Sequence, residues 1–190
     1  KQPVAGFTPD ADFPAINAEM GILVLRLKKK LSNHKILSLH GGQAVNMVPD
    51  GAFVKYMEKG EEKTLHFKGV SAHGSTPHKG QNAISMLLKE MVDMEAFEGL
   101  KDTLSVLHYN LGMDLDGHHM GVDFQDEASG KLVLNLGKIQ FTENTLETYI
   151  NIRYPVTLQM EQVTEPIKKI FEEKGFDFEI TAHDGPLYYP

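Results

Sequence analysis

Cysteine is absent from the 190 residues. That excludes disulfides, a thiolate zinc site and a cysteine nucleophile, and it is compatible with a cytoplasmic protein. No apolar run approaches the ~20 residues that a membrane helix needs, and no signal peptide opens the chain. A basic cluster is missing too. With 19 Lys and Arg against 26 Asp and Glu, the net charge is −7, which argues against nucleic acid as a partner. Lys28–Lys30 is a short run at the end of an apolar stretch and reads as a solvated strand exit. Neither nucleic acid nor membrane is therefore an expected partner. What is present is enough apolar material for a core, 41% of the residues, and a length that fits one domain or two small subdomains sharing a sheet.

The stretch that organises the rest is Gly69–Gly80, GVSAHGSTPHKG. It joins a strand-like run, Thr64–Phe67, to a helix-like run that starts near Asn82. Gly69, Gly74, Pro77 and Gly80 forbid a regular element and build a loop with fixed bends. Ser71, Ser75 and Thr76 supply hydroxyls that can bond the loop backbone. His73 is the large side chain at the centre. Either it is presented to a ligand, or it only hydrogen-bonds its own turn.

Upstream, Gly6–Gly21 reads GFTPDADFPAINAEMG. Pro9 and Pro14 bracket Asp10 and Asp12, so the segment is extended or turn-rich. Two carboxylates one residue apart in a stiff loop suit a cation and equally suit surface turns. Ile22–Leu27 and Lys35–Leu39 read as strands. The second exits into HGGQAVNMVPD, where Asn46 either turns the chain or offers its amide to a ligand.

Asn82–Glu95 has helical spacing, with Asn82 as N-cap and Gly99 as the expected stop. Asp102–Tyr109 fits a second helix. A polar loop follows that holds Asp114, Asp116, His118, His119 and Asp123. A metal reading is rejected there, because adjacent side chains do not converge on a tetrahedral site without a special bend. Lys131–Ile139 and Thr145–Tyr154 read as neighbouring strands with a turn at Asn144–Thr145. Arg153 stands at the end of the second. It is either solvated or able to grip a carboxylate through two parallel bonds. Thr157–Lys174 is an amphipathic helix stopped by Gly175, and Phe178–Ala182 is the last strand.

Four stretches in order, GFTPDADFPAINAEMGI, QAVNMVPD, SAHGSTPHKGQNAI and INIRYP, resemble the lid portion of the PepV-type dipeptidases. These are co-catalytic zinc peptidases related to carnosinase and the aminoacylases. The resemblance implies an α+β fold, a sheet with helices on one face, either ferredoxin-like or a double-half lid (dimerisation-type) domain of a zinc exopeptidase. It implies that Asp10 ligates one zinc. It also implies that His73 donates to the oxygen that turns negative in the tetrahedral intermediate, and that Asn46 and Arg153 hold the substrate's terminal carboxylate. In full-length relatives two zinc ions activate a water.

The chain departs from that pattern in two ways. Between Asn46 and His73 the family places a strand and a whole helix, whereas here only GAFVKYMEKGEEKTLHF follows VPD. The family's HxD metal motif, bridging aspartate, Glu-Glu pair and late histidine are also absent, so Asp10 is the sole zinc ligand carried over. The expectation is therefore an excised lid, inactive alone and holding zinc weakly or not at all. Residues 1–20 and 183–190 would be stumps of a catalytic domain supplied in cis, and 21–182 the lid. The expected substrate is a dipeptide or short peptide, and a homodimer through edge strands is an expected partner. A lid of a related carboxypeptidase or N-acyl-amino-acid deacylase, or a stand-alone interaction module, are the alternatives.

Overall fold

The computed structural model describes residues 16–32 and 34–189. Among them, eleven strands and three α-helices alternate as β1 (Ala18–Glu19), β2 (Gly21–Lys30), β3 (Ile36–Gly41), β4 (Gly51–Glu58), β5 (Glu61–Lys68), α1 (Ala83–Asp93), α2 (Lys101–Leu107), β6 (Gln125–Asp126), β7 (Gly130–Lys131), β8 (Val133–Thr142), β9 (Thr145–Tyr154), α3 (Met160–Glu173), β10 (Asp177–Asp184) and β11 (Leu187–Tyr188). Seven strands form one sheet in the order β10-β2-β9-β8-β3-β4-β5. Every pairing in it is antiparallel. The ribbons β1–β11 and β6–β7 stand apart from it.

Period-2 alternation decides which face is buried. Leu23, Leu25 and Leu27 of β2 are fully buried, as are Leu146, Ile150 and Ile152 of β9. They share one core with Ile84, Leu87, Leu88 and Met91 of α1 and with Val163, Ile167 and Phe171 of α3. The helices thus cover one face of the sheet. Each such side chain taken fully out of water contributes roughly 1.5–3 kcal/mol. The α+β architecture with helices on one face is the one expected from the sequence.

The short segment between Asn46 and His73 makes a hairpin in place of a crossover. β4 and β5 pair from Gly51↔Lys68 to Glu58↔Glu61, and Lys59 and Gly60 turn the chain with φ of 52° and 85°. Positive φ at both central residues is the geometry that matches strand twist in a two-residue hairpin. The β8–β9 hairpin repeats this with Glu143 and Asn144 at 52° and 61°. Its turn is one residue earlier than expected, because Thr145 already pairs with Thr142.

Two helix boundaries also differ from expectation. α1 ends at Asp93, two residues before the expected Glu95, with extended Met94 as its cap, and Gly99 is not its stop. A tight turn over Glu95–Leu100 then buries Ala96, Phe97 and Leu100, with the Phe97 ring 4.9 Å from Tyr56. Burying that aromatic outweighs continuing the helix. α3 starts at Met160 and not at Thr157. The amide and hydroxyl of Thr157 both donate to Asp126, at 3.1 Å each, which holds it outside the helix.

Candidate functional site

Two loops carry the candidate side chains. The first joins β3 to β4 and holds Asn46. The second joins β5 to α1 and holds His73. Their backbones are joined by direct bonds. Val48 N–H donates to Ala72 O at 2.8 Å and Gly74 N–H to Asn46 O at 2.7 Å, so Met47 and His73 form an isolated antiparallel bridge. Gly69 N–H reaches Asp50 O at 2.9 Å, and Ala83 N–H reaches Pro49 O at 2.9 Å. The loops can approach this closely because of their glycines. A Cβ on Gly74 would lie 2.8 Å from the Asn46 carbonyl oxygen, closer than real Cβ contacts permit.

His73 is exposed, and Ser75 fixes its ring. The Ser75 amide donates to Nδ1 at 3.2 Å, and the Ser75 hydroxyl lies 2.7 Å from the same nitrogen. An amide can only donate, so Nδ1 is an acceptor, the hydroxyl donates as well, and the ring proton of the neutral imidazole sits on Nε2. Nε2–H is then the remaining donor of an exposed ring. Of the two sequence readings of His73, the structure shows the bond to its own turn. One nitrogen satisfies its own turn, and the other is left to donate.

Arg153 is the ninth residue of β9, paired with Ile22 of β2 and Val133 of β8. Among the described residues its buried Nε has no hydrogen-bond partner, and no carboxylate forms an ion pair with it. By contrast Arg26, on the neighbouring strand, pairs with Glu179. Arg153 and Ser75 border one cavity of about 460 Å³, with Ile16, Asn17, Met20 and Tyr189 around it. The cavity thus joins the strand end that bears Arg153 to the loop that bears His73. Asn46 does not line it. It is linked through its carbonyl to Gly74. Asp10, the expected zinc ligand, lies outside the described residues, as does Asp12.

The acidic and histidine-rich loop has other work. Asp114 accepts from the amides of Asp116 at 3.1 Å, Gly117 at 2.8 Å and His119 at 2.7 Å. Burial works against its charged form, but these amide bonds outweigh it and hold the carboxyl below its ordinary pKa. His119 stacks on Tyr109 at 4.0 Å, and His118 pairs with Asp123 at 2.9 Å. The five side chains do not converge. Among the described residues no three His, Cys, Asp or Glu side chains are grouped to hold a metal ion, so the described part does not fit a two-zinc site.

Residues 62–179 match the family model of the M20 dimerisation domain, described as "Peptidase dimerisation domain". The chain belongs to that M20 peptidase family. "Putative dipeptidase YtjP" of Bacillus subtilis (strain 168) is 31% identical to it over 90% of the chain and 44% of its own length. "Putative dipeptidase" of Staphylococcus epidermidis is 28% identical over 99% of the chain and 47% of its own length. The chain therefore spans about half the length of these curated relatives. The solved aminoacylhistidine dipeptidase from Vibrio alginolyticus aligns with 96% of this chain and 43% of its own, at 14% identity and a TM-score of 0.37. That similarity is too distant to bear on function.

One residue that holds the first of these loops escapes motif reading. Asn135 lies inside β8, buried, and its amide donates to Val45 O at 3.0 Å and Met47 O at 2.9 Å. The available signal was a single amide residue within the apolar run VLNLG, where alternation alone says nothing about partners.

Proposed function

We propose that this domain is the lid of a zinc-dependent dipeptidase and presents two groups to a short peptide. The observation that carries the reading is the buried, unpartnered Nε of Arg153 beside a cavity shared with Ser75, the residue that fixes the His73 ring. A guanidinium whose Nε has no partner among the described residues is suited to a carboxylate from outside. Arg153, with Asn46, binds the C-terminal carboxylate. The Nε2–H of His73 donates to the carbonyl oxygen as it gains negative charge. Holding both ends of the scissile unit aligns it for attack, and closing the lid excludes water.

In this reading zinc supplies the activated water, and its ligands come from Asp10 and from the rest of a longer protein. Residues 1–20 and 183–190 connect the lid to that catalytic part, and the domain by itself is inactive. The names of the relatives support dipeptides as substrates, and a cytoplasmic enzyme is part of the same proposal. The family's name, together with the exposed outer strands β5 and β10 at the two edges of the sheet, supports a homodimer.

The test is hydrolysis of free dipeptides against N-acyl amino acids by the full-length protein. Hydrolysis of dipeptides alone is the expected result. A preference for N-acyl amino acids would make the same lid that of a deacylase.

A further inference from the structure

The Asn135 contacts go beyond loop packing. Both amide protons of this side chain are spent on the carbonyls of Val45 and Met47, the residues on either side of Asn46. Its own Oδ1 is buried without a partner among the described residues. Leaving a buried oxygen unsatisfied is costly, so an apolar residue would serve the strand better if the two carbonyls had other donors. Asn135 is also the cross-strand partner of Asn151 on β9, two residues before Arg153. The next two residues add to the grip. Leu136 O accepts from the Asn82 side chain at 2.8 Å. The backbone at Gly137, at a β-bulge, lies so close to the first loop that a Cβ there would be 2.1 Å from Val45 O.

We propose that Asn135 is a positioning residue that sets the Asn46 side chain relative to Arg153, and so tunes affinity for the substrate carboxylate. This rests on the lid reading above. Asn135 touches no substrate. It holds the three-residue backbone Val45–Met47 against the strand pair whose other member carries Arg153. Without its two donors the loop keeps its bonds to the Gly74 amide and the Ala72 carbonyl, but these open more often and the register of Asn46 over the β8–β9 pair is released.

The test uses the full-length protein with Asn135→Ala and Asn135→Thr, the second keeping one donor and a residue type favoured in strands. KM and kcat are measured on a dipeptide and on its C-terminal amide, beside a melting curve. The expected result for Asn135→Ala is a KM for the free acid raised on the order of tenfold, as for the loss of two ordinary hydrogen bonds. kcat stays within about twofold and KM for the amide is unchanged, the pattern of lost ground-state binding. Asn135→Thr falls between, and stands in for the alanine variant if that does not fold. An unchanged free-acid KM with a lowered melting temperature, or parallel losses on acid and amide, would overturn the proposal. A wild-type protein without dipeptidase activity would instead sink the lid reading. The positioning claim is then judged by amide exchange at Gly74, which must quicken in the variant if Asn135 holds that loop.

Discussion

The amide of Gly74 donates to the carbonyl of Asn46 at 2.7 Å, so the residue after His73 is bonded directly to a second candidate substrate-binding residue. Neither loop has a regular element of its own at this point. Each is the other's hydrogen-bond partner, and the pair behaves as one platform.

Gly74→Ala tests that platform. Its Cβ would stand 2.8 Å from the Asn46 oxygen, with the rest of the Asn46 backbone within 3.2 Å. Backbone cannot swing away as a side chain can, so the expected loss is about 1–3 kcal/mol of stability. A urea melt measures it, and a variant as stable as wild type would mean that the loops part without cost.

His73→Ala in the full-length protein is expected to lower kcat by two to three decades with the melting temperature unchanged, since the side chain is exposed. The proton position can be checked on the 190-residue chain alone. Nitrogen NMR of the neutral His73 ring is expected to show Nε2 protonated and Nδ1 bare. Ser75→Ala keeps the amide donor and removes the hydroxyl, so the tautomer should persist while kcat falls by about threefold to tenfold.

Asn82 serves two structures at once. Its Oδ1 accepts from Ile84 and Ser85 at 2.9 and 3.2 Å, capping α1, and its amide reaches Leu136 O at 2.8 Å. Asn82→Ala should cost about 1–3 kcal/mol. Asn82→Ser keeps a cap but cannot reach Leu136, and is expected to recover about half of that in a denaturant titration.

Acid should weaken the fold in two stages. Burial pushes the His108 pKa down from its ordinary 6.5, and its Nδ1 has no partner. Asp114 is also held below its ordinary 3.8. In both cases the folded state binds fewer protons than the unfolded chain, so stability is complete above the ordinary value and is lost as pH falls through the lower folded value. Asp114→Asn should remove the more acidic stage, and His108→Phe the earlier one, in melting temperatures recorded against pH. A profile identical in all three proteins would contradict the assignment.

Legibility from sequence followed the range of the interactions. Thr145–Tyr154 was readable to the residue, because alternation over ten positions is a strong signal, though the turn before it lies one residue earlier than expected. Asn82 was readable as a cap because its partners Ile84 and Ser85 lie within three residues of it. The end of α1 was not, since Phe97 leaves the helix to pack on Tyr56, forty-odd residues away in the chain. His73 was legible as the large side chain at the centre of its loop, but which nitrogen bonds its own turn depends on where Ser75 sits in space. Arg153 was legible as a strand-end cation, yet its unpaired Nε is a property of the packed sheet. Asn135 was invisible as a clamp, because its two acceptors lie ninety and eighty-eight positions away.

The central claim is that Arg153 reads a peptide's terminal carboxylate. The most direct measurement is kcat/KM of the full-length protein on a dipeptide and on its C-terminal amide, for wild type and Arg153→Ala. The account predicts that wild type prefers the free acid and that the variant loses about a hundredfold or more on the acid alone, leaving the two substrates nearly equal. A variant that keeps the wild-type preference would contradict it.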